Sequence, residues 1–172
     1  MKLDVVANSN NDEFYTPFYA IEPLLKYVDI DRIVWCPFDT EKSLIVKTFQ
    51  NRGNEVIYTH LSEDKDFFVI DPPGCDVIIS NPPYSQKGKV FERLFTIDID
   101  FAMLVGVVGL FESQHRFELF AKNKFEIMWL NKRISYFKSY EDEKPSLNPP
   151  FSSVWITKNL LPQQNNFERI NK

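Results

Sequence analysis

The sequence predicts an α/β fold, a mostly parallel sheet with helices on both faces, and three observations carry that prediction. Short apolar runs rich in Val and Ile alternate with segments whose apolar spacing suits helices. The run Val77-Ile78-Ile79 is short and β-branched, as expected of a strand buried on both faces. That run stops abruptly at Asn81-Pro82-Pro83-Tyr84, because neither proline has an N–H to offer a ladder. At 172 residues, 44% hydrophobic and with sixteen Phe, the chain fits one domain, 1–172, with a substantial core.

Taken in order, Thr16-Pro17 reads as an N-cap with proline at the first helical position, opening a helical segment that Pro23 interrupts and that ends near Tyr27. Arg32 to Cys36 reads as a strand. Glu41 to Arg52 reads as a helix with Leu44, Ile45, Thr48 and Phe49 on one face and Gly53 as its C-cap. Glu55 to Thr59 is a second strand, Phe67 to Ile70 a weak one, and Asp76 to Ser80 the strand before the double proline. Gln86 to Phe95 is helical, Phe101 to Val108 a strand, Gln114 to Ala121 a helix and Phe125 to Leu130 a strand. Ile134 to Phe137 and Ser153 to Thr157 add β structure. Between them Ser139 to Pro150, acidic and Pro-rich, reads as a loop able to cover a site.

The residues after Ser80 project at the carboxyl edge of the sheet, where open α/β sheets bind ligands. Their chemistry suits a planar amine. The lone pair of an aryl or amide NH2 is delocalised, which makes the nitrogen a poor nucleophile. The Asn81 side-chain oxygen and the Pro82 carbonyl could each accept one of its N–H bonds, drawing the nitrogen toward tetrahedral geometry. Tyr84 could stack on the attached ring, a contact worth roughly 1–3 kcal/mol for a nucleobase. Positioning and hydrogen bonding would do the catalysis, with the proton lost after transfer.

The stretch Asn81-Pro82-Pro83-Tyr84 resembles the fourth motif of the S-adenosylmethionine-dependent amino-methyltransferases, a family that methylates exocyclic amines of adenine and cytosine and, in some branches, protein glutamine. The resemblance makes Asn81, Pro82, Pro83 and Tyr84 the catalytic set, and the order of elements matches that family's Rossmann-like fold. A second copy, Asn148-Pro149-Pro150-Phe151, follows a charged loop instead of a buried strand and reads as a turn entering the last strand. The resemblance also implies a cofactor site for S-adenosylmethionine. Glu13-Phe14-Tyr15-Thr16-Pro17 is similar to the family's N-terminal motif, in which the Thr-Pro pair sits near the methionine part of the cofactor, and a plain helix cap is the other reading. Asp66-Phe67 stands where an acid accepts from the adenine amine and an aromatic packs on its ring.

The first-strand motif departs from the family. Cys36-Pro37-Phe38-Asp39 keeps Pro37 and Phe38, but Cys36 replaces the usual acid and no glycine follows. Asp39 either faces the cofactor or caps the next helix. Thr59-His60 replaces the acid that normally holds the ribose, leaving His60 to hydrogen-bond there or to sit on the surface. Nearly the whole chain, from Asp12-Glu13-Phe14-Tyr15-Thr16-Pro17 through Trp35-Cys36-Pro37-Phe38-Asp39 to Arg133-Ile134-Ser135-Tyr136-Phe137 and Phe151-Ser152-Ser153, resembles small phage-type adenine-specific DNA methyltransferases, in which Pro-Phe-Asp is the usual form. No residue cluster suggests a metal.

Net charge is −4, against strong non-specific nucleic-acid binding by the whole surface. The charge is uneven: residues 1–80 carry 7 basic and 14 acidic side chains, whereas 85–138 carry 9 and 6. The basic set Lys87, Lys89, Arg93, Arg116, Lys122, Lys124, Lys132 and Arg133 is either an ordinary solvated surface or in part a phosphate track. The apolar run Phe101 to Phe111 is too short to cross a bilayer, and two isolated cysteines without a signal peptide suggest a reduced, cytoplasmic protein. The expected partner is nucleic acid, DNA ahead of RNA. With no room for a separate target-recognition domain, the target would be a very short site, a single strand or RNA, or would be chosen by a partner subunit. The segment Gly109 to Lys124 is where target contacts are expected. Two other functions stay open: amino-methylation of protein or another small target, and a non-catalytic binding protein that kept the fold.

Overall fold

The computed structural model describes residues 15–141 and 145–172. A short helix α1 (Phe18–Ile21) runs into a 3-10 turn (Glu22–Tyr27), followed by β1 (Val34–Cys36), α2 (Leu44–Arg52) and β2 (Val56–Tyr58). Then come β3 (Val77–Ser80), α3 (Lys87–Ile97), β4 (Asp100–Gly106), α4 (Gln114–Lys122) and β5 (Glu126–Leu130). A small pair, β6 (Tyr136–Phe137) and β7 (Pro145–Leu147), precedes β8 (Ser153–Lys158) and β9 (Asn165–Glu168).

Seven strands form one sheet in the order β2-β1-β3-β4-β8-β5-β9. Only β8 runs against its neighbours; β1 with β2 and β3, β3 with β4, and β5 with β9 are parallel. The chain therefore steps from β1 outward to β2, then returns to the other side of β1 for β3. That reversal opens a crevice beyond the carboxyl ends of β1 and β3, the place where such sheets bind ligands.

Period-two alternation supplies a core on each face. Val34, Cys36, Val77, Ile79, Ala102, Leu104, Met128 and Trp155 pack with α1 and α2. Trp35, Ile78, Phe101, Met103, Val105, Ile127, Val154 and Ile156 pack with Phe91, Leu94 and Phe120 of α3 and α4. The prediction of a mostly parallel sheet covered on both faces is met.

Several local expectations are corrected. Phe67 to Ile70 is a set of turns, not a strand. The Asp66 carboxylate accepts from the Phe68 N–H and its carbonyl from Val69 and Ile70, and this local bonding outcompetes a ladder. Phe67 is instead driven under Trp35 and Phe38, with ring centroids 5.7 and 4.8 Å away. α2 starts at Leu44, three residues later than expected, because Ser43 caps it by accepting from the Ile45 N–H. Gly53 ends it at φ 109°, a left-handed conformation that favours glycine. Thr16 is not the N-cap of α1: Pro17 occupies that place and no side chain caps it. The span Ser139 to Pro150 is not wholly a loop, since β7 pairs with β6 outside the main sheet. Strand β9 was not foreseen; its Asn-Asn-Phe-Glu sequence shows no apolar alternation to mark it.

Candidate active site

The crevice holds a cavity of about 400 Å³, within the roughly 300–1,000 Å³ typical of small-molecule sites. The sequence-predicted residues Tyr15, Thr16, Pro37, Phe38, Asp39, His60, Asp66, Phe67, Asn81 and Pro83 all line it. Pro17, buried behind Thr16 at the start of α1, is not among its walls. One end is aromatic, with Phe38, Phe67 and Phe68 at centroid separations of 4.8 and 5.3 Å. Arg93 stacks over Phe67 and donates to the Ile70 carbonyl at 2.7 Å, which fixes the turn and removes this cation from the set available to a ligand.

The other end is polar and tightly bonded. Asp39 is only 7% exposed. Its carboxylate accepts from Ser43 Oγ at 2.6 Å and from Ser80 Oγ, so the loop after β1 is tied to the end of β3, one residue before Asn81. Asp39 therefore does not cap α2 directly; Ser43 is the cap and Asp39 holds Ser43. The Asp39 N–H donates to the Thr59 carbonyl at 3.2 Å, drawing the end of β2 into the same corner. His60 lies on the cavity wall, with Nδ1 accepting from the Ser62 N–H at 3.1 Å. Tyr140, which sequence reading left inside a loop, lines the cavity: its ring meets Tyr15 edge-on at 4.6 Å and its hydroxyl donates to Ser43 Oγ at 3.4 Å. Burial, and secondarily the Asp39 charge, pushes the Tyr140 phenol well above its ordinary pKa. It is thus a neutral hydrogen-bonding group at neutral pH.

A second, much smaller cleft of about 10 Å³ adjoins β4 and is lined by Asn81, Pro82, Tyr84, Lys87, Gly106, Tyr136 and Phe151, among others. Asn81 faces both spaces. Its Nδ2 donates to Thr16 Oγ1 at 3.1 Å, so the hydroxyl expected to cap a helix instead orients the amide. The Tyr84 and Phe151 rings stack at 5.2 Å with 25° between their planes. This contact explains Gly106, where a Cβ would lie 2.7 Å from two Phe151 ring carbons and 3.3 Å from Tyr84. Phe151 was missed as a site residue. Its signal was the second Asn-Pro-Pro-Phe, which does form the turn into β8, as expected, and also seats a ring on Tyr84.

Lys87 lies three residues beyond Tyr84 and is 7% exposed. Its Nζ donates to the Val108 carbonyl at 3.0 Å and lies 4.2 Å from the Tyr84 ring centroid. Burial lowers its pKa to about 8, Arg116 pushes it the same way, and Glu112 opposes them.

No protein-family model and no curated protein matches the chain. Solved structures do. A modification subunit assigned to a type I restriction enzyme of Vibrio vulnificus YJ016 is similar over 96% of this chain, with a TM-score of 0.52 and 13% identity. A dimethyladenosine transferase from Plasmodium falciparum is similar over 84%, with a TM-score of 0.49 and 10% identity. The chain spans 49% of the first structure and 62% of the second. Together with the sheet order, the likeness to the modification subunit defines the fold as the Rossmann-like methyltransferase fold. Among the described residues no helix is long and apolar enough to cross a membrane, and no cluster of His, Cys, Asp and Glu is placed to hold a metal.

Proposed function

We propose that this chain transfers the methyl group of S-adenosylmethionine to the exocyclic amine of adenine in nucleic acid, DNA ahead of RNA. One observation carries the reading: Asn81 lines both the 400 Å³ cavity and the aromatic cleft, so an amine held at Asn81 faces the larger space.

The cavity fits the cofactor that the motif implies. Its aromatic end suits a purine ring, with the Asp66 carboxylate beside Phe67 able to accept from the purine amine. The polar end, with Thr16, Asp39 and Ser43, suits an amino-acid moiety. The absent glycines are not needed for space, because the loop after Pro37 is folded back by the Asp39–Ser43 and Asp39–Ser80 bonds. When bound, S-adenosylmethionine supplies the methyl group as an electrophile.

On the target side, Asn81 and the Pro82 carbonyl accept the two N–H bonds of the amine and direct its lone pair toward the cavity. The Thr16 hydroxyl holds the Asn81 amide so that its oxygen is the end presented to the amine. The surplus proton leaves to solvent. The target ring enters between Tyr84 and Phe151. Two rings that hold a base between them stand about 7 Å apart, twice the van der Waals contact of about 3.5 Å. From 5.2 Å the pair must part by about 2 Å. A base inside a duplex would also have to be extruded, at a cost of a few kcal/mol. The protein's affinity for single strands should therefore exceed that for duplex of the same sequence.

The test is calorimetric titration with S-adenosylmethionine and S-adenosylhomocysteine, followed by radiolabelled methyl transfer to single-stranded DNA, duplex DNA and RNA with adenine-free controls. Micromolar cofactor binding and adenine-dependent incorporation are expected. Absence of cofactor binding up to millimolar concentration would leave a binding protein on a methyltransferase fold.

A further inference from the structure

We propose that Lys87 and Arg116 form a phosphodiester site beside the aromatic cleft, holding the backbone phosphate of the nucleotide whose base enters between Tyr84 and Phe151. The inference rests on the nucleic-acid reading above and extends it to the group that seats the strand.

Of the basic set from Lys87 to Arg133, these two converge on the loop that follows β4, beside the cleft. Lys87 opens α3 and lines the cleft; Arg116 comes from α4 and lies along the start of α3, its Cγ 3.6 Å and its Nη1 3.9 Å from where a Gly88 Cβ would stand. Both reach into the loop that follows β4. Lys87 donates to the Val108 carbonyl, while Arg116 donates from Nε to the Gly109 and Leu110 carbonyls at 3.0 and 3.1 Å and from Nη2 to Gly109 at 2.6 Å. Among the described residues neither forms an ion pair with a carboxylate.

Two cations held this close, one of them buried, repel each other and cost desolvation. Neutral donors would satisfy three loop carbonyls without that penalty. What the pair adds is a positive field at the mouth of the cleft, and an anion is the ligand that relieves it. A nucleotide brings one at a short, fixed distance from its base. The charged and titratable groups facing Lys87 are Arg116 from α4, Glu112 from the intervening loop and the Tyr84 phenol of its own turn. An arriving phosphate adds an attraction to this set and raises the Lys87 pKa from about 8, so oligonucleotide binding takes up a proton just above that pH.

The experiment is a fluorescence-anisotropy titration of the full chain with a labelled, adenine-containing single-stranded DNA oligonucleotide. It is run from about 50 to about 200 mM salt and from one pH unit below to one above 8, for wild type, Lys87→Met and Arg116→Gln. Each substitution should lower the slope of log affinity against log salt by about 0.7 and leave S-adenosylhomocysteine affinity unchanged. Wild-type affinity should fall as pH rises above 8, whereas Lys87→Met should be flat there. Arg116, half-buried, provides the independent variant if Lys87→Met misfolds. Slopes and pH dependence equal to wild type in both variants overturn the phosphate site while the nucleic-acid reading stands. Cofactor binding without any oligonucleotide binding by wild type overturns both.

Discussion

The two spaces that meet at Asn81 are built on opposite plans. The larger is open, about 400 Å³, and its polar wall is a closed web of hydrogen bonds in which Asp39 binds Ser43, Ser80 and, through its N–H, Thr59. The smaller is shut, about 10 Å³, with two stacked rings and a buried lysine at its edge. One is ready for a ligand before it arrives; the other must be opened by its ligand. The charge of the chain divides along the same line, acidic before residue 80 and basic from 85 to 138. On the proposed reading, the larger space is a preformed donor site and the smaller a target site that a flat ring opens by separating Tyr84 from Phe151.

The sharpest way to break this picture is at the shared wall. Asn81→Ala removes the acceptor that orients the amine but leaves the aromatic and Asp39 ends of the cavity intact. Methyl transfer should fall about 10²–10³-fold, the scale seen when one preorganised hydrogen-bonding group is lost, while cofactor affinity measured by calorimetry stays within a few-fold. Full activity in this variant would remove Asn81 from the chemistry. An equal loss of cofactor affinity would show that Asn81 belongs to the larger space alone.

This division of labour was only partly legible in the sequence. β1, β3 and β4 were marked by apolar runs, and the double proline after Ser80 marked the strand end that carries Asn81. The polar web was harder to see. Asp39 and Ser43 share the loop after β1, but Thr59 and Ser80 come from the ends of β2 and β3, and only the sheet order brings the three segments together. Thr16 has the sequence of a helix cap and serves instead as the acceptor for Asn81, because a side chain's partner depends on what the fold places opposite it. Phe151 is 67 positions from Tyr84; the antiparallel pairing of β8 with β4, which sets Ser153 beside Gly106, delivers it to the cleft. β9 was missed because edge pairing leaves little apolar pattern, whereas Phe67 to Ile70 was misread because its apolar run suits a strand while local hydrogen bonding to Asp66 folds it into turns.

The next effect in size concerns the shut cleft. Phe151→Ala removes one face of the slot and the stacking that goes with it, worth roughly 1–3 kcal/mol for a nucleobase. The apparent KM for an oligonucleotide should rise about tenfold, with cofactor affinity unchanged. Gly106→Ala approaches the same contact from the other side, since its methyl must displace the Phe151 ring from 2.7 Å. It should reproduce the Phe151→Ala phenotype without removing any aromatic surface. If both variants bind and methylate as wild type does, the target does not lie between these rings.

The smallest expected effect tests the open cavity. Asp39 places a carboxylate at the polar wall, and its charge is felt by neighbours: it reinforces burial in raising the pKa of both the Cys36 thiol and the Tyr140 phenol. The same field favours a positively charged ligand over its neutral product. S-adenosylmethionine carries a sulfonium and S-adenosylhomocysteine a neutral thioether, so the pair measures the field at the sulfur position. Asp39→Asn should cut affinity for the sulfonium form a few-fold more than for the thioether, narrowing the ratio of the two dissociation constants. The same variant replaces one of the two oxygens that accept from Ser43 and Ser80 with an NH2, so urea unfolding should show a loss of about 1–3 kcal/mol. Loss of stability with an unchanged ratio would assign Asp39 to the scaffold of the cavity. A narrowed ratio would show that the acid missing from position 36 is supplied by Asp39, three residues further along the chain.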